Sequence, residues 1–131
     1  MIRYQDGQNE IYNEAGRQVH GSMAAGLEGL NPRELLEASL GLCVSITLTA
    51  LLERDGIPLG PEGMDIEVTA SKAEGITNRF TDFKVSVDFP HLEPKYKEKA
   101  MTIVERGCTI SNTLRHAANV VLVDAKRQAQ N

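Results

Sequence analysis

Two cysteines, Cys43 and Cys108, are the residues of this chain whose types and settings best suit chemistry. Cys43 lies inside a long apolar stretch, and Cys108 follows Gly107 at the start of a polar segment. A thiol reacts as its thiolate, so a reactive cysteine needs a cation, a helix N-terminus or hydrogen-bond donors nearby. Once ionised, Cys43 could attack the O–O bond of a peroxide and become a sulfenic acid, which Cys108 would condense into a disulfide.

Both thiols also have plainer interpretations. Free cysteine usually behaves as a small buried hydrophobe, which is the simplest interpretation of Cys43, and an inert role suits Cys108 about as well. Neither cysteine belongs to a C-x-x-C unit, so thioredoxin-like chemistry and a four-cysteine zinc ribbon lack their sequence basis. A zinc site built from both cysteines and His116 fits no standard ligand spacing. We therefore predict neither a metal nor a cofactor.

The composition predicts one globular domain spanning residues 1–131, since 41% of the residues are hydrophobic and 24% are charged. A net charge of −4 gives no electrostatic attraction to nucleic acid or to anionic lipid, so neither is an expected partner. Residues 1–6 contain no apolar segment after a basic one, which predicts a cytoplasmic location. In that reducing compartment, a bond between the two cysteines would be transient and functional.

A long helix is predicted to position Cys43. Asn31 is a good N-cap, Pro32 suits the first helical position, and Glu34 stands where a capping-box acid reaches back. Gly56, followed closely by a proline, ends the pattern, so the helix is expected over residues 31–54.

The middle of this helix predicts a partner subunit. Residues 38–52 carry no charge and are apolar on every face, which predicts a helix buried on all sides. The stretch is too short to span a bilayer, which needs roughly twenty apolar residues. Because a small domain cannot surround such a helix alone, we expect a homodimer that packs two of them together.

The rest of the chain predicts an α+β fold with antiparallel strands. Residues 21–29 are expected to form a flexible connection, and residues 126–131 a frayed tail. The predicted elements are a hairpin of residues 10–12 and 17–20 around a turn at 13–16, strands over 64–71 and 83–89, a helix over 94–106 capped by Gly107, a short helix over 110–117 and a closing strand over 120–123.

Activation of Cys43 is expected to need a side chain from elsewhere in the assembly, because a mid-helix position gains nothing from the helix dipole. The available guanidinium groups are Arg3, Arg17, Arg33 and Arg115. An apolar setting around the sulfur would favour an organic hydroperoxide over hydrogen peroxide, since an alkyl tail gains from burial.

Two segments resemble the OsmC/Ohr family of thiol peroxidases. Residues 31–45 resemble the family's Asn-Pro-x-Glu-Leu-Leu helix that leads to its peroxidatic cysteine. Residues 108–115, which begin Cys-Thr-Ile-Ser-Asn, resemble the Cys-Pro-x-Ser-Asn turn around its resolving cysteine. The resemblance implies an OsmC-like fold, in which an intertwined homodimer packs two buried central helices beneath antiparallel sheets and forms its active sites at the subunit boundary.

The resemblance also implies an activity and a set of site residues. Cys43 would be oxidised by a small organic hydroperoxide, Cys108 would close the disulfide, and a dithiol such as a lipoyl protein would restore both thiols. The family's activating arginine, which comes from an N-terminal loop, is assigned to Arg17, and the acid that orients it is assigned to Glu34.

The chain departs from the family pattern at two places. The family's glutamate stands ten residues before the reactive cysteine, where this chain has Arg33, and one residue turns a helical side chain by about 100°. Thr109 replaces the usual proline after the second cysteine. These features resemble the divergent OsmC-like branch. The alternatives are a non-catalytic ligand-binding dimer and a dimer that uses the same thiols for redox sensing or for handling reactive sulfur.

Overall fold

The computed structural model of the chain describes residues 1–89 and 92–125 and has an α+β architecture, which confirms the predicted class. The predicted break at Pro90 and the predicted tail lie outside the described residues. The elements, in chain order, are β1 (Ile2–Gln5), β2 (Gln8–Asn13), β3 (Gly16–Gly21), α1 (Pro32–Arg54), β4 (Asp65–Ser71), β5 (Asp82–Asp88), α2 (Pro94–Gly107) and α3 (Thr109–Arg115).

The first three strands form an antiparallel sheet in the order β1-β2-β3. Asp6 and Gly7 both have positive φ, 55° and 77°, which is the pattern of the two-residue turns that suit the twist of a hairpin. In the second hairpin, the Ala15 amide donates to Asn13 Oδ1 over 2.9 Å, and Gly16 has a φ of 114°. The second hairpin was predicted from the sequence and is confirmed.

The connection from β3 to α1, which was expected to be flexible over residues 21–29, is held by backbone hydrogen bonds where it reaches α1. The Leu30 amide donates to the His20 carbonyl, and the Ser22 amide donates to the Leu30 carbonyl, each over 2.9 Å. Gly29 has a φ of 91°, and a Cβ at this position would collide with the His20 carbonyl, so the return of the chain requires glycine. These bonds hold the start of α1 beside the last strand of the first sheet.

Helix α1 has the predicted boundaries because its caps are made locally. The Glu34 amide donates to Asn31 Oδ1 over 2.7 Å, and the Asn31 amide donates to Glu34 Oε1 over 2.9 Å, which completes the capping box. At the other end, Gly56 has a φ of 66°, and the Ile57 amide donates to the Leu52 carbonyl over 2.9 Å.

One face of α1 is buried, and a stripe on the other side is exposed. The exposed stripe includes Leu42, which is 63% exposed, and Ile46, which is 59% exposed. The single chain covers one side of the helix, and burial on all sides, which was predicted for a helix packed against a second copy, stays a prediction. The buried side chains are Leu40, Val44, Leu48, Leu51 and Leu52.

Helix α1 is also long and apolar enough to cross a membrane by length and composition alone. It has 23 residues, and an 18-residue stretch within it has a mean hydropathy of 1.9. This corrects the expectation that the helix is too short. Core helices of soluble proteins satisfy the same criterion, and α1 contacts β4, α2 and α3 along its buried face.

Strands β4 and β5 form a second antiparallel pair that covers part of α1. Val68 lies opposite Val85, and a Cβ at Gly41 would stand 3.3 Å from a Val68 methyl group, so helix and strand approach closely here. Glu37 Oε2 accepts the Ala70 amide of β4 over 2.8 Å, which ties the helix to the strand.

The junction of α2 and α3 is formed by Cys108 itself. Gly107, predicted to cap α2, is instead the last residue of that helix. Cys108 has φ −78° and ψ 112°, donates its amide to the Val104 carbonyl over 3.0 Å, and is both the C-cap of α2 and the N-cap of α3. Its side chain belongs to the core cluster formed by Leu40, Val44, Leu48, Leu51, Phe89, Ala100 and Val104.

The predicted closing strand over residues 120–123 is wrong. Residues 117–125 have no regular secondary structure, and the side chains from Val120 to Val123 are 78–90% exposed. A valine-rich run of this kind forms a strand only where a sheet edge can pair with it. No strand of the described chain pairs with this run.

Candidate thiol site

The fold brings the two cysteines into contact from distant parts of the chain. Cys43 is half-buried on α1, at the border between the covered face and the exposed stripe. Cys108 is fully buried, with 0% exposure. Contacts of α1 with α2 and α3 place the Cys108 thiol within hydrogen-bonding reach of the Cys43 sulfur.

Hydrogen-bond donors at the α2–α3 junction act on the Cys43 sulfur and shift its pKa. The Cys108 thiol donates to it, as do the backbone amides of Ile110 and Thr109. These amides open α3 and have no acceptor within their own helix, so they are free to serve the sulfur. Together these donors hold the pKa of Cys43 below its ordinary value, although partial burial acts in the opposite direction.

The pKa of Cys108 is shifted the other way. Burial raises the pKa of this thiol, and its hydrogen bond to Cys43 together with the charge that Cys43 carries raises it further. The amides of Ser111 and Ile110 offset only part of this. The pair therefore loses its first proton from Cys43, and Cys108 stays protonated beside the thiolate.

An open groove of about 410 Å³ gives access to Cys43. Its apolar walls come from Leu42, Ile46 and Ile110, while the Thr47 hydroxyl donates to the Cys43 carbonyl over 2.9 Å. Because Cys108 is fully buried, a molecule in the groove meets Cys43 first. The full lining is Ser39, Leu42, Cys43, Ile46, Thr47, Gly107, Thr109 and Ile110.

Arg17 and Glu34, the other two predicted site residues, are engaged elsewhere in the chain. Arg17 lies on β3 with its guanidinium 3.7 Å from Glu10, and Glu10 also contacts His20 Nδ1 over 2.7 Å. Glu34 is occupied in the capping box. Their assigned roles at the thiol stay predictions, which would need Arg17 to come from another subunit.

Within residues 1–89 and 92–125 of one chain, the groups that lower the pKa of Cys43 are the Cys108 thiol and two backbone amides. No arginine of these residues is among the groups that shift the pKa of Cys43, and Arg115 donates to the Glu105 carbonyl over 3.0 Å. The signal that could have revealed the amides is the start of α3 directly after Cys108. It was missed because the helix was predicted to begin one residue later, at Ile110.

A metal site is not formed by this part of the chain. Across the described residues, no three His, Cys, Asp or Glu side chains converge in a way that could hold a metal ion.

Alkylation by iodoacetamide should distinguish the two thiols by their pH profiles. Because the thiolate reacts and the pKa of Cys43 is lowered, alkylation of Cys43 should reach its half-maximal rate at a pH below that of an unperturbed cysteine, about 8.5. Cys108, whose pKa is raised, should react only at higher pH and more slowly. Peptide mass spectrometry reads each site separately, and identical profiles for the two cysteines would contradict the assignment.

Comparison with known proteins identifies the family of this chain. A family model described as OsmC-like protein matches residues 24–123. No sequence among the curated proteins matches the chain. Among solved structures, an OsmC-like protein from Mycoplasma pneumoniae has 18% identity and a TM-score of 0.64, with 86% of this chain and 82% of that chain covered.

Two further solved structures share the fold. The organic hydroperoxide resistance protein OhrB of Bacillus subtilis has 21% identity and a TM-score of 0.58, covering 88% of this chain and 87% of that chain. An organic hydroperoxide resistance protein from Legionella pneumophila has 17% identity and a TM-score of 0.60, covering 88% of each. With the family model matching most of its length, this chain belongs to the OsmC-like protein family.

Proposed function

We propose that this protein is a thiol-dependent peroxidase that reduces small organic hydroperoxides, with Cys43 as the nucleophile and Cys108 as the resolving thiol. Membership of the OsmC-like family supports a redox function. The observation that carries the finer proposal is the pairing of an accessible Cys43 sulfur with a buried, protonated Cys108 thiol that donates to it.

The reaction can be written with these two sulfurs alone until the final reduction. The Cys43 thiolate attacks the terminal oxygen of R–O–OH, the O–O bond breaks, and the sulfur is oxidised to a sulfenic acid as the alkoxide RO⁻ leaves. The alkoxide takes a proton, which the adjacent Cys108 thiol can supply. The Cys108 thiolate then attacks the sulfenic sulfur, forming the disulfide and releasing hydroxide. An external dithiol reduces the disulfide and returns both thiols.

The groove beside Cys43 supports an organic substrate. Its walls include Leu42, Ile46 and Ile110, which an alkyl or aryl tail could cover as it approaches the sulfur. Covering apolar surface is favourable, whereas hydrogen peroxide has no tail to place there. We therefore expect the preference for organic hydroperoxides over hydrogen peroxide to come from the apolar groove and not from the thiol.

The site is proposed to be completed by a second copy of the chain. Leu42 and Ile46 beside the thiol are exposed, as are Ile2 and Tyr4 on β1 and the side chains of residues 120–123. Exposed apolar side chains that lie together mark an interaction site, and Leu42 and Ile46 line the same groove on α1. A homodimer would cover these surfaces and close the groove from the side that one chain leaves open.

Hydroperoxide consumption in the presence of a dithiol tests the proposed function. The reduced protein with dihydrolipoamide should consume cumene hydroperoxide catalytically. The rate should exceed that for hydrogen peroxide by at least about tenfold. This factor corresponds to roughly 1.4 kcal/mol gained from burying the apolar tail of the organic substrate. No consumption above the rate of dithiol alone would exclude the peroxidase.

A non-catalytic ligand-binding dimer is the second candidate. The observation that favours it is that, in the described part of the chain, no guanidinium acts on Cys43. In that case cumyl alcohol or a similar apolar ligand should bind the groove, while both thiols remain reduced after exposure to hydroperoxide. Reversible disulfide formation without sustained turnover would instead indicate redox sensing.

A further inference from the structure

Two side chains of α3 reach back across Cys108 to the end of α2. Asn112 Nδ2 donates to the Arg106 carbonyl over 3.1 Å, and Arg115 Nη1 donates to the Glu105 carbonyl over 3.0 Å. The last carbonyls of a helix have no amide partner within the helix, so these bonds satisfy groups that need a partner from elsewhere. We call these two hydrogen bonds the bridging bonds.

The bridging bonds span a connection of one residue. Cys108 alone separates α2 from α3, and its backbone is extended, with φ −78° and ψ 112°. Rotation about these two dihedrals changes the angle between the helices and moves the Cys108 side chain with them. Because each bridging bond joins residues on opposite sides of Cys108, the two bonds restrict this rotation.

The angle at this connection decides where the Cys108 sulfur lies. The Cys108 side chain is fully buried in the core cluster, and Cys43 packs against the same cluster. Cys43 also lines the open groove together with Gly107 and Thr109, the two chain neighbours of Cys108. A disulfide needs Cα atoms within about 7 Å and a narrow range of dihedral angles, so a change in this angle would take the sulfur out of line.

We propose that Asn112 and Arg115 are positioning residues that hold Cys108 in line with the Cys43 sulfur and so set the rate at which the two sulfurs join. The inference rests on the proposed function in taking Cys108 as the resolving thiol. It deepens that function by giving a task to Arg115, first considered as an activator of Cys43, and to the asparagine of the Cys-Thr-Ile-Ser-Asn segment.

The joining step can be followed without hydroperoxide, by exchange with the aromatic disulfide DTNB. The Cys43 thiolate attacks one DTNB sulfur, which forms a mixed disulfide and releases one thionitrobenzoate anion. Cys108 then loses its proton to solvent and attacks the Cys43 sulfur, which closes the protein disulfide and releases a second thionitrobenzoate. Only the first phase depends on DTNB concentration, so absorbance separates the reactivity of Cys43 from the approach of Cys108.

The test compares Asn112→Leu, which keeps the size of the side chain and removes the donor, with Thr113→Val. Thr113 is the matched control because its hydroxyl also donates to a backbone carbonyl, that of Thr109 over 2.8 Å, but within α3. For Asn112→Leu, we expect the second phase to slow about fivefold, the scale of one lost hydrogen bond, and the first phase to stay unchanged. For Thr113→Val, both phases should match those of the wild type.

Arg115 provides a second test, which also serves if Asn112→Leu fails to fold. The Arg115 side chain is exposed, so its bond competes with water, and Arg115→Met should slow the second phase by a smaller factor, about threefold. Arg115→Lys keeps a donor and should recover most of this loss.

Equal second phases in Asn112→Leu and Thr113→Val would overturn the inference, as would a faster second phase in Asn112→Leu. An equal slowing of both phases would also overturn it, because the substitution would then act on Cys43 itself. If Asn112→Leu does not fold, an unchanged second phase in Arg115→Met refutes the inference.

These readouts separate the inference from the proposed function. If the second phases differ as expected but no hydroperoxide is consumed, the positioning role stands and the peroxidase is excluded. If hydroperoxide is consumed but the second phases coincide, the peroxidase stands and the bridging bonds do not position Cys108.

Discussion

Replacing Cys43 with serine should reduce the rate of hydroperoxide consumption to that of the dithiol alone. The expected loss is roughly a thousandfold or more, the scale seen when a nucleophile is removed. Serine preserves the size of the half-buried side chain but not its chemistry, because a hydroxyl cannot form a sulfenic acid. The measurement is the loss of cumene hydroperoxide with time, together with a titration of the remaining thiols.

Cys108→Ser is the matched control, because it removes the second sulfur and keeps the first. In this variant Cys43 should still be oxidised in a single turnover, and its sulfenic acid should accumulate and be trapped by dimedone. Sustained turnover should fall because the disulfide cannot form. Full activity in Cys43→Ser, or a dimedone adduct on Cys108 in Cys43→Ser, would contradict the assigned roles.

A charged residue in the exposed stripe of α1 should separate the proposed dimer into monomers. Ile46→Glu would place a carboxylate in an apolar contact, where a charge without a partner costs several kcal/mol. A cost of about 3 kcal/mol corresponds to a rise of roughly 100-fold in the dissociation constant. Size-exclusion chromatography with light scattering, run over a range of concentrations, reads this directly.

Thr102→Glu provides the control for the added charge. Thr102 is an exposed residue of α2, which lies outside the stripe and the groove, so this variant should remain a dimer. A wild-type protein that is monomeric at high concentration would refute the dimer. So would Ile46→Glu remaining as dimeric as Thr102→Glu, since the stripe would then lie outside the interface.

The sequence predicts well those elements whose signals are local. The boundaries of α1 were predictable because Asn31 and Glu34 form their capping bonds within one turn, and Gly56 ends the helix by its own backbone conformation. The alternation along β4 and β5 was equally informative, because the period of two needs no knowledge of the partner strand.

The sequence predicts poorly whatever depends on a distant or absent partner. Residues 120–123 have strand-forming side chains, but no edge of the described chain receives them. The apolar stripe with Leu42 and Ile46 predicted burial that one chain does not provide. In each case the local pattern was identified correctly, and the missing element was the surface that it would meet.

The site itself was predicted in part. The cysteine pair was recognisable from motifs, and their contact in the fold follows from the packing of α1 against α3. The amides of Thr109 and Ile110 were missed, because no side chain marks them and α3 was predicted to begin one residue later than it does. Arg17 was assigned by resemblance and lies beside Glu10 in this chain, so its place in the site depends on the assembly.

The most direct test of the account is to map the sulfur products after one equivalent of cumene hydroperoxide is added to fully reduced wild-type protein. Non-reducing peptide mass spectrometry should find Cys43 and Cys108 joined within one chain, and a dithiol should restore both. A Cys43 that remains a thiol, or that is over-oxidised while Cys108 stays free, would contradict it.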